Sequence, residues 1–191
     1  MNKYLIIFFV LNHIVSFSQE RRVTREANDY FLNQLDSLDV DIAIDKYNQA
    51  INYNNDFNIA KFNLANTLYS KGQFENSIDL LEEIISNENN QIKKSKAYYN
   101  KGKNEIELFN KSDRKNKEFL ESAANSFKQS LRNNPNDDDA RFNLEKCLSM
   151  LKELEQEQNQ NKDNQEEQDQ NKDNQEEQDQ NKDNQEEQDQ N

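Results

Sequence analysis

Histidine and cysteine are almost missing from this sequence: His13 and Cys147 are the only ones, and tryptophan is absent. One such chain cannot assemble a Ser-His-Asp triad, a Cys-His pair or a His- or Cys-rich zinc site. Glycine is nearly as scarce. Gly72 and Gly102 stand alone, which rules out a glycine-rich phosphate loop. Positive charge is short as well, with 24 Lys and Arg against 37 Asp and Glu, a net charge of −13. A duplex or membrane-surface binder needs clustered surplus cations, so nucleic acid is not an expected partner. Carboxylates are plentiful, yet plenty on helix surfaces is ordinary solvation. No catalytic residue, cofactor or metal is expected.

The charge is unevenly spread. Residues 162–191 are the decapeptide KDNQEEQDQN written three times. Each copy carries −3, or −9 in all, which leaves −4 for everything before it. The strong acidity therefore belongs to a tail, residues 158–191, that has no apolar residue. Such a segment cannot offset the entropy of ordering and is expected to be disordered or partly helical. Its ten-residue period gives no heptad seam, and its acidic clusters lack the glycine and spacing of a calcium loop.

The opposite end has a different character. Met1-Asn2-Lys3 leads into the apolar run Tyr4–Leu11, interrupted at Asn12-His13 and resumed at Ile14-Val15. Ser16-Phe17-Ser18 then places small residues two apart. This layout predicts a signal peptide over residues 1–18, cleaved after Ser18, and no stable membrane span in the mature form. Export to a bacterial periplasm is expected, with secretion as the alternative. No cysteine lies near the cut to carry a lipid anchor.

Between these ends the sequence repeats itself. Ala60-Lys61-Phe62-Asn63, Ala97-Tyr98-Tyr99-Asn100 and Ala140-Arg141-Phe142-Asn143 share the pattern Ala-x-aromatic-Asn. A second set contains Ala43-Ile44…Tyr47…Ala50-Ile51, Ser77-Ile78…Leu81…Ile84-Ile85 and Ala123-Ala124…Phe127…Ser130-Leu131. The first two members of that set are 34 residues apart, the period of a tetratricopeptide (TPR) helix–turn–helix unit. An all-α solenoid over residues 21–157 is predicted: about three hairpins and a C-terminal capping helix. The first hairpin pairs Arg21–Gln34 with Val40–Asn54 across Leu35–Asp39, about one helical turn longer than a standard repeat. Residues 58–90 form the cleanest unit, and Gly72 ends its first helix. The third pairs Lys96–Phe109 with Phe119–Asn133. Gly102 is placed at a close helix approach, and Asn110–Lys117 is a basic insertion read as a longer hairpin loop. After the turn Asn134–Asp137, Asp138–Glu157 forms the cap, with Leu144, Cys147, Leu148 and Leu151 as its buried stripe. Cys147 is expected to pack there as a small apolar side chain, with an intermolecular disulfide as the alternative.

Asn134–Glu145 running into a Gln-rich tail, together with Ala97–Gly102 and Phe127–Arg132, resembles the end of the repeat array in the TPR protein of bacterial Bat aerotolerance operons. The likeness rests on residues 95–160. The basic insertion, the decapeptide tail and Lys101, where the repeat favours Leu, depart from it. The resemblance implies an exported scaffold beside membrane-anchored von Willebrand A-type proteins.

In TPR folds the first helix of each hairpin lines the concave face. Carrying that register over gives Arg21, Arg25, Asn28 and Phe31, then Phe62, Asn63, Asn66 and Tyr69. Lys96, Tyr99, Asn100 and Lys103 follow, and the cap adds Phe142, Asn143 and Lys146. This set holds five cations and no carboxylate, with Asp139 as its acidic neighbour at the rim. Asparagine pairs with a peptide backbone, aromatics give apolar contact, and the cations favour an acidic segment or a C-terminal carboxylate. The predicted partner is therefore a protein or peptide. Asn28, Asn63 and Lys96 also fall where chaperone-binding TPR domains carry a carboxylate clamp, although Thr24 replaces a Lys and Asn100 an Arg.

Overall fold

The computed structural model describes residues 19–33, 37–114, 116–157 and 160. The signal peptide expected over residues 1–18, and the tail expected to be disordered or partly helical, apart from residue 160, lie outside the described residues. Seven helices are found among those described: α1 (19–32), α2 (Ser37–Tyr53), α3 (Asn58–Ser70), α4 (Phe74–Asn87), α5 (Gln91–Lys111), α6 (Lys117–Asn133) and α7 (138–157). Each pairs with the next in the chain, so that α2 packs on α3, α3 on α4, α4 on α5 and α5 on α6. The described residues up to 147 form one compact unit. No helix among the described residues is long and apolar enough to cross a membrane.

Small side chains carry the helix contacts. Ala27, Ala43, Ala50, Ala60, Ala97, Ala123 and Ala140 have no exposed surface, and Ser77 takes that place in α4. Larger residues fill the space between. Ala27, Ala43, Tyr47, Leu64 and Leu68 form one buried cluster across the first two hairpins, while Ala65, Leu81, Ile84 and Ala97 form the next.

The turns follow local chemistry. Gly72 has φ +72°, and Gln73 N–H reaches back to the Leu68 carbonyl at 2.9 Å, closing the end of α3 as a left-handed glycine does. Asp137 Oδ1 accepts from Ala140 N–H at 2.9 Å and so starts α7.

Several boundaries differ from the sequence reading. α2 begins at Ser37, so Ser37–Asp39, expected in the first interhelical loop, are helical. α5 begins at Gln91, five residues before Lys96, because the Asn90 side chain accepts from Lys93 N–H and caps it. It also runs on to Lys111. The basic insertion therefore extends a helix, leaving a tight turn in which Asp113 and Arg114 take φ 53° and 59°. The extension has a partner: Lys111 Nζ donates to the Gly72 carbonyl at 2.8 Å and lies 4.5 Å from the Phe74 ring centre. In α7, Cys147 is fully buried and burial pushes its thiol up to about 11. Leu148, expected in the same stripe, is 45% exposed, since one residue turns the helix by about 100°. Leu144 and Leu151 are half-buried.

Lys101, out of place as a repeat residue, has a structural use. Its ammonium meets Glu82 of α4 at 2.7 Å and Glu105 at 3.6 Å. Burial lowers its pKa and these carboxylates more than reverse that, so the net shift is upward. Glu105, itself buried, accepts from Ser122 (2.5 Å) and Ser126 (2.7 Å) of α6. One polar chain thus ties α4, α5 and α6.

Gly102 sits against the ring of Phe127, and a Cβ there would come within 2.8 Å of it. Alanine in a helix normally gains about 1 kcal/mol over glycine, but overpacking a rigid ring costs about 1–3 kcal/mol. Gly102→Ala is therefore expected to lower the urea midpoint. A raised midpoint would show that Phe127 moves aside freely.

Candidate functional site

The first helices α1, α3 and α5 present the predicted groove residues of the three hairpins, and successive hollows along them share lining residues. Arg21, Thr24, Arg25 and Asn28 line one with Phe57 and Ile59. Ile59 passes into a second, lined also by Phe62, Asn63, Ile84, Glu88, Lys93 and Lys96. Asn28, Phe31, Leu32 and Tyr47 line a third together with Asn63 and Asn66. Asn66 leads into a fourth, with Tyr69, Asn100, Lys103 and Asn104. The result is a trough that crosses from the first hairpin to the third.

The asparagines also join the helices beneath it. Asn28 Oδ1 accepts from the Tyr47 hydroxyl at 2.6 Å and from Asn63 Nδ2 at 2.9 Å. Asn100 Nδ2 donates to Asn66 Oδ1 at 2.7 Å. α1 is thereby linked to α2 and α3, and α3 to α5. Burial pushes the Tyr47 phenol up to about 12, opposed in part by the neighbouring Thr67 hydroxyl. Asn104 donates to the Asn100 carbonyl at 2.8 Å, while its own Oδ1 is buried without a hydrogen-bond partner among the described residues.

At the third hairpin, Lys103 Nζ lies 4.6 Å from the Tyr69 ring centre, and the Tyr69 hydroxyl donates to Glu107 Oε1 at 3.4 Å. Burial raises the Tyr69 pKa, and Glu107 adds to the effect. Tyr99 packs edge-on to Phe127 with ring centres 5.7 Å apart, and its hydroxyl accepts from Asn143 Nδ2 at 3.3 Å. Burial raises its pKa too, followed by the charge of Asp139. Phe142 is 66% exposed and Lys146 is exposed on α7.

The trough is not free of carboxylates, which corrects the reading of its sign. Glu88 lines one hollow and Glu107 holds Tyr69. The Asn90 backbone N–H, at 2.9 Å, lowers the Glu88 pKa and Asn58 adds to this, so Glu88 stays charged. Glu88 and Ile84 were missed because the register counted only first-helix positions, whereas Ile59 and Asn104 lie on the first helices α3 and α5 at positions the transferred register did not select. Glu88 follows α4 and Lys93 lies in an unexpected turn of α5. The cap Asn90 was the available signal for that turn. No cluster of three metal-ligating His, Cys, Asp or Glu side chains is found among the described residues.

Solved structures show the same arrangement of hairpins. The first TPR of Spaghetti (RPAP3), bound to the HSP90 peptide SRMEEVD, is 20% identical with a TM-score of 0.58, covering 70% of this chain and 94% of that one. This chain has the TPR fold. The Sgt2 TPR domain from Aspergillus fumigatus is 18% identical with a TM-score of 0.58, covering 72% of this chain and 82% of its own. The TPR2AB domain of yeast Sti1, in a pHSP90 complex, is 21% identical with a TM-score of 0.61, covering 73% of this chain and 50% of its own. The sequence matches no protein-family model and no curated protein. The TPR fold explains why the Ala-x-aromatic-Asn pattern recurs: the alanine seats the helix and the asparagine links it to its neighbour.

Asn28→Ala removes the acceptor shared by Tyr47 and Asn63. A buried donor stripped of its partner costs about 1–3 kcal/mol, so urea denaturation should show a loss of that order. An unchanged midpoint would mean that this junction adds no net stability.

Proposed function

We propose that this chain is a non-enzymatic scaffold that holds a segment of another polypeptide along the α1–α3–α5 trough. The observation that carries the reading is continuity, since adjoining hollows share Asn28, Ile59, Asn63 and Asn66. An extended segment can therefore meet apolar and polar walls without a break. Stacked helical repeats build such surfaces for binding, and TPR domains are typically non-catalytic binding modules. Two of the similar structures are complexes, one with an HSP90 peptide and one with pHSP90. They support a peptide as the class of ligand.

A second reading makes the chain a chaperone-like receptor for acidic or C-terminal peptide ends. Lys96 favours it, being exposed and without an ion pair among the described residues. Against it, Asn28 and Asn100 are engaged in links between helices. We also place the scaffold outside the cytoplasm, in a Bat-type envelope complex linked to aerotolerance, beside von Willebrand A-type membrane proteins. The support for that placement is the leader over residues 1–18 and the likeness of residues 95–160 to the Bat repeat protein.

Pull-down from a native envelope fraction should recover an acidic partner with the wild type and lose it with Lys96→Glu/Lys103→Glu. Equal recovery by both would refute recognition by the trough cations. Intact mass of the protein purified from its cells should match a chain beginning at Gln19. A full-length mass would refute cleaved export.

A further inference from the structure

The hollow between α3, α4 and the start of α5 differs from the rest of the trough. Its floor is apolar. Ile84 is fully within the core, Phe62 packs against the same core cluster, and Ile59 leaves 52% of its surface exposed. The hollow measures about 200 Å³. A rigid apolar floor open to solvent gains by accepting an apolar side chain, because removing such surface from water is the main non-directional source of affinity.

Its rim carries both signs. Lys93 and Lys96 are exposed and form no ion pair among the described residues, whereas Lys101 is bound by Glu82 and Glu105. Glu88 is held in place by the Asn90 backbone N–H and by Asn58 Nδ2 at 3.3 Å; the charge of Lys93 also acts on it, but among the described residues it closes a salt bridge with neither lysine. An all-acidic segment would satisfy the lysines and be repelled by Glu88. An all-basic one would meet the reverse. Charges at a rim contribute selectivity more than affinity.

We propose that this hollow anchors one aliphatic or aromatic side chain of the bound segment, selecting a residue flanked by an acidic neighbour on one side and a basic neighbour on the other. The inference deepens the trough reading and rests on it. It assigns the site to an internal stretch of the partner, with no requirement for a free chain end. The two lysines serve the acidic neighbour and Glu88 serves the basic one.

The test is selection of random peptides displayed internally, with both ends blocked by the carrier, on the full chain. The wild type should enrich peptides with an apolar residue between opposite charges. Ile59→Ser should weaken those peptides about tenfold, in keeping with one partly buried apolar side chain. Lys93→Glu/Lys96→Glu should select basic residues where acidic ones were chosen. This swap involves only exposed positions, so it keeps the test decisive if Ile59→Ser unfolds the chain. Enriched peptides that lack the pattern, or whose selection ignores the lysine swap, overturn the anchor site and leave the trough reading standing. No enrichment at all overturns both.

Discussion

Everything in the described unit depends on helices approaching closely through small side chains. An alanine stands at the crossing in α1, α2, α3, α5, α6 and α7, and Ser77 does so in α4. Separation between packed helices is set by the residues at the contact. Small residues there let the large ones, Tyr47, Leu81, Phe109 and Phe127, fill the intervening layers at full burial. A single hairpin buries only part of these side chains, so the stack is stable as a series.

Close approach brings polar groups into low-polarity surroundings, where each needs a partner. The chain meets this with short links between successive helices. Ser95 and Ser130 exchange hydrogen bonds between α5 and α6, and Ser77 donates to the Ala65 carbonyl at 2.8 Å. Lys101 and Glu105 extend the same device to charges. Breaking a buried pair costs far more than the intact pair contributes, because the survivor is left unpaired. The asparagines of the trough belong to this system as well. They fix the spacing of α1, α3 and α5 and thereby set the walls that a bound segment would touch.

Local signals were legible wherever one residue dictates backbone geometry. Gly72 marks a left-handed turn, Asp137 begins α7, and Gly102 marks the approach of Phe127. The length of α5 was not legible from apolar spacing, because the run Gln91–Lys96 is mostly polar and contributes little to a buried stripe. Its cap, Asn90, decides where it begins. Leu148 shows the opposite error: an apolar residue at a plausible interval lies on the exposed side. Spacing alone does not distinguish adjacent positions on a helix whose buried face is narrow.

The sequence by itself determined the repeat period, the all-helical class and the set of small residues that seat each helix, since these depend on periodicity and on residues near one another in the chain. It also determined the chemical poverty of the protein in His, Cys and Gly. Tertiary structure decided which groups share a surface. Glu88 and Lys96 belong to one hollow with Ile59 because three helices converge there, and Lys101 is a buried tie because Glu82 and Glu105 meet it. Those neighbours come from different turns and different helices, and only packing gives them a common address.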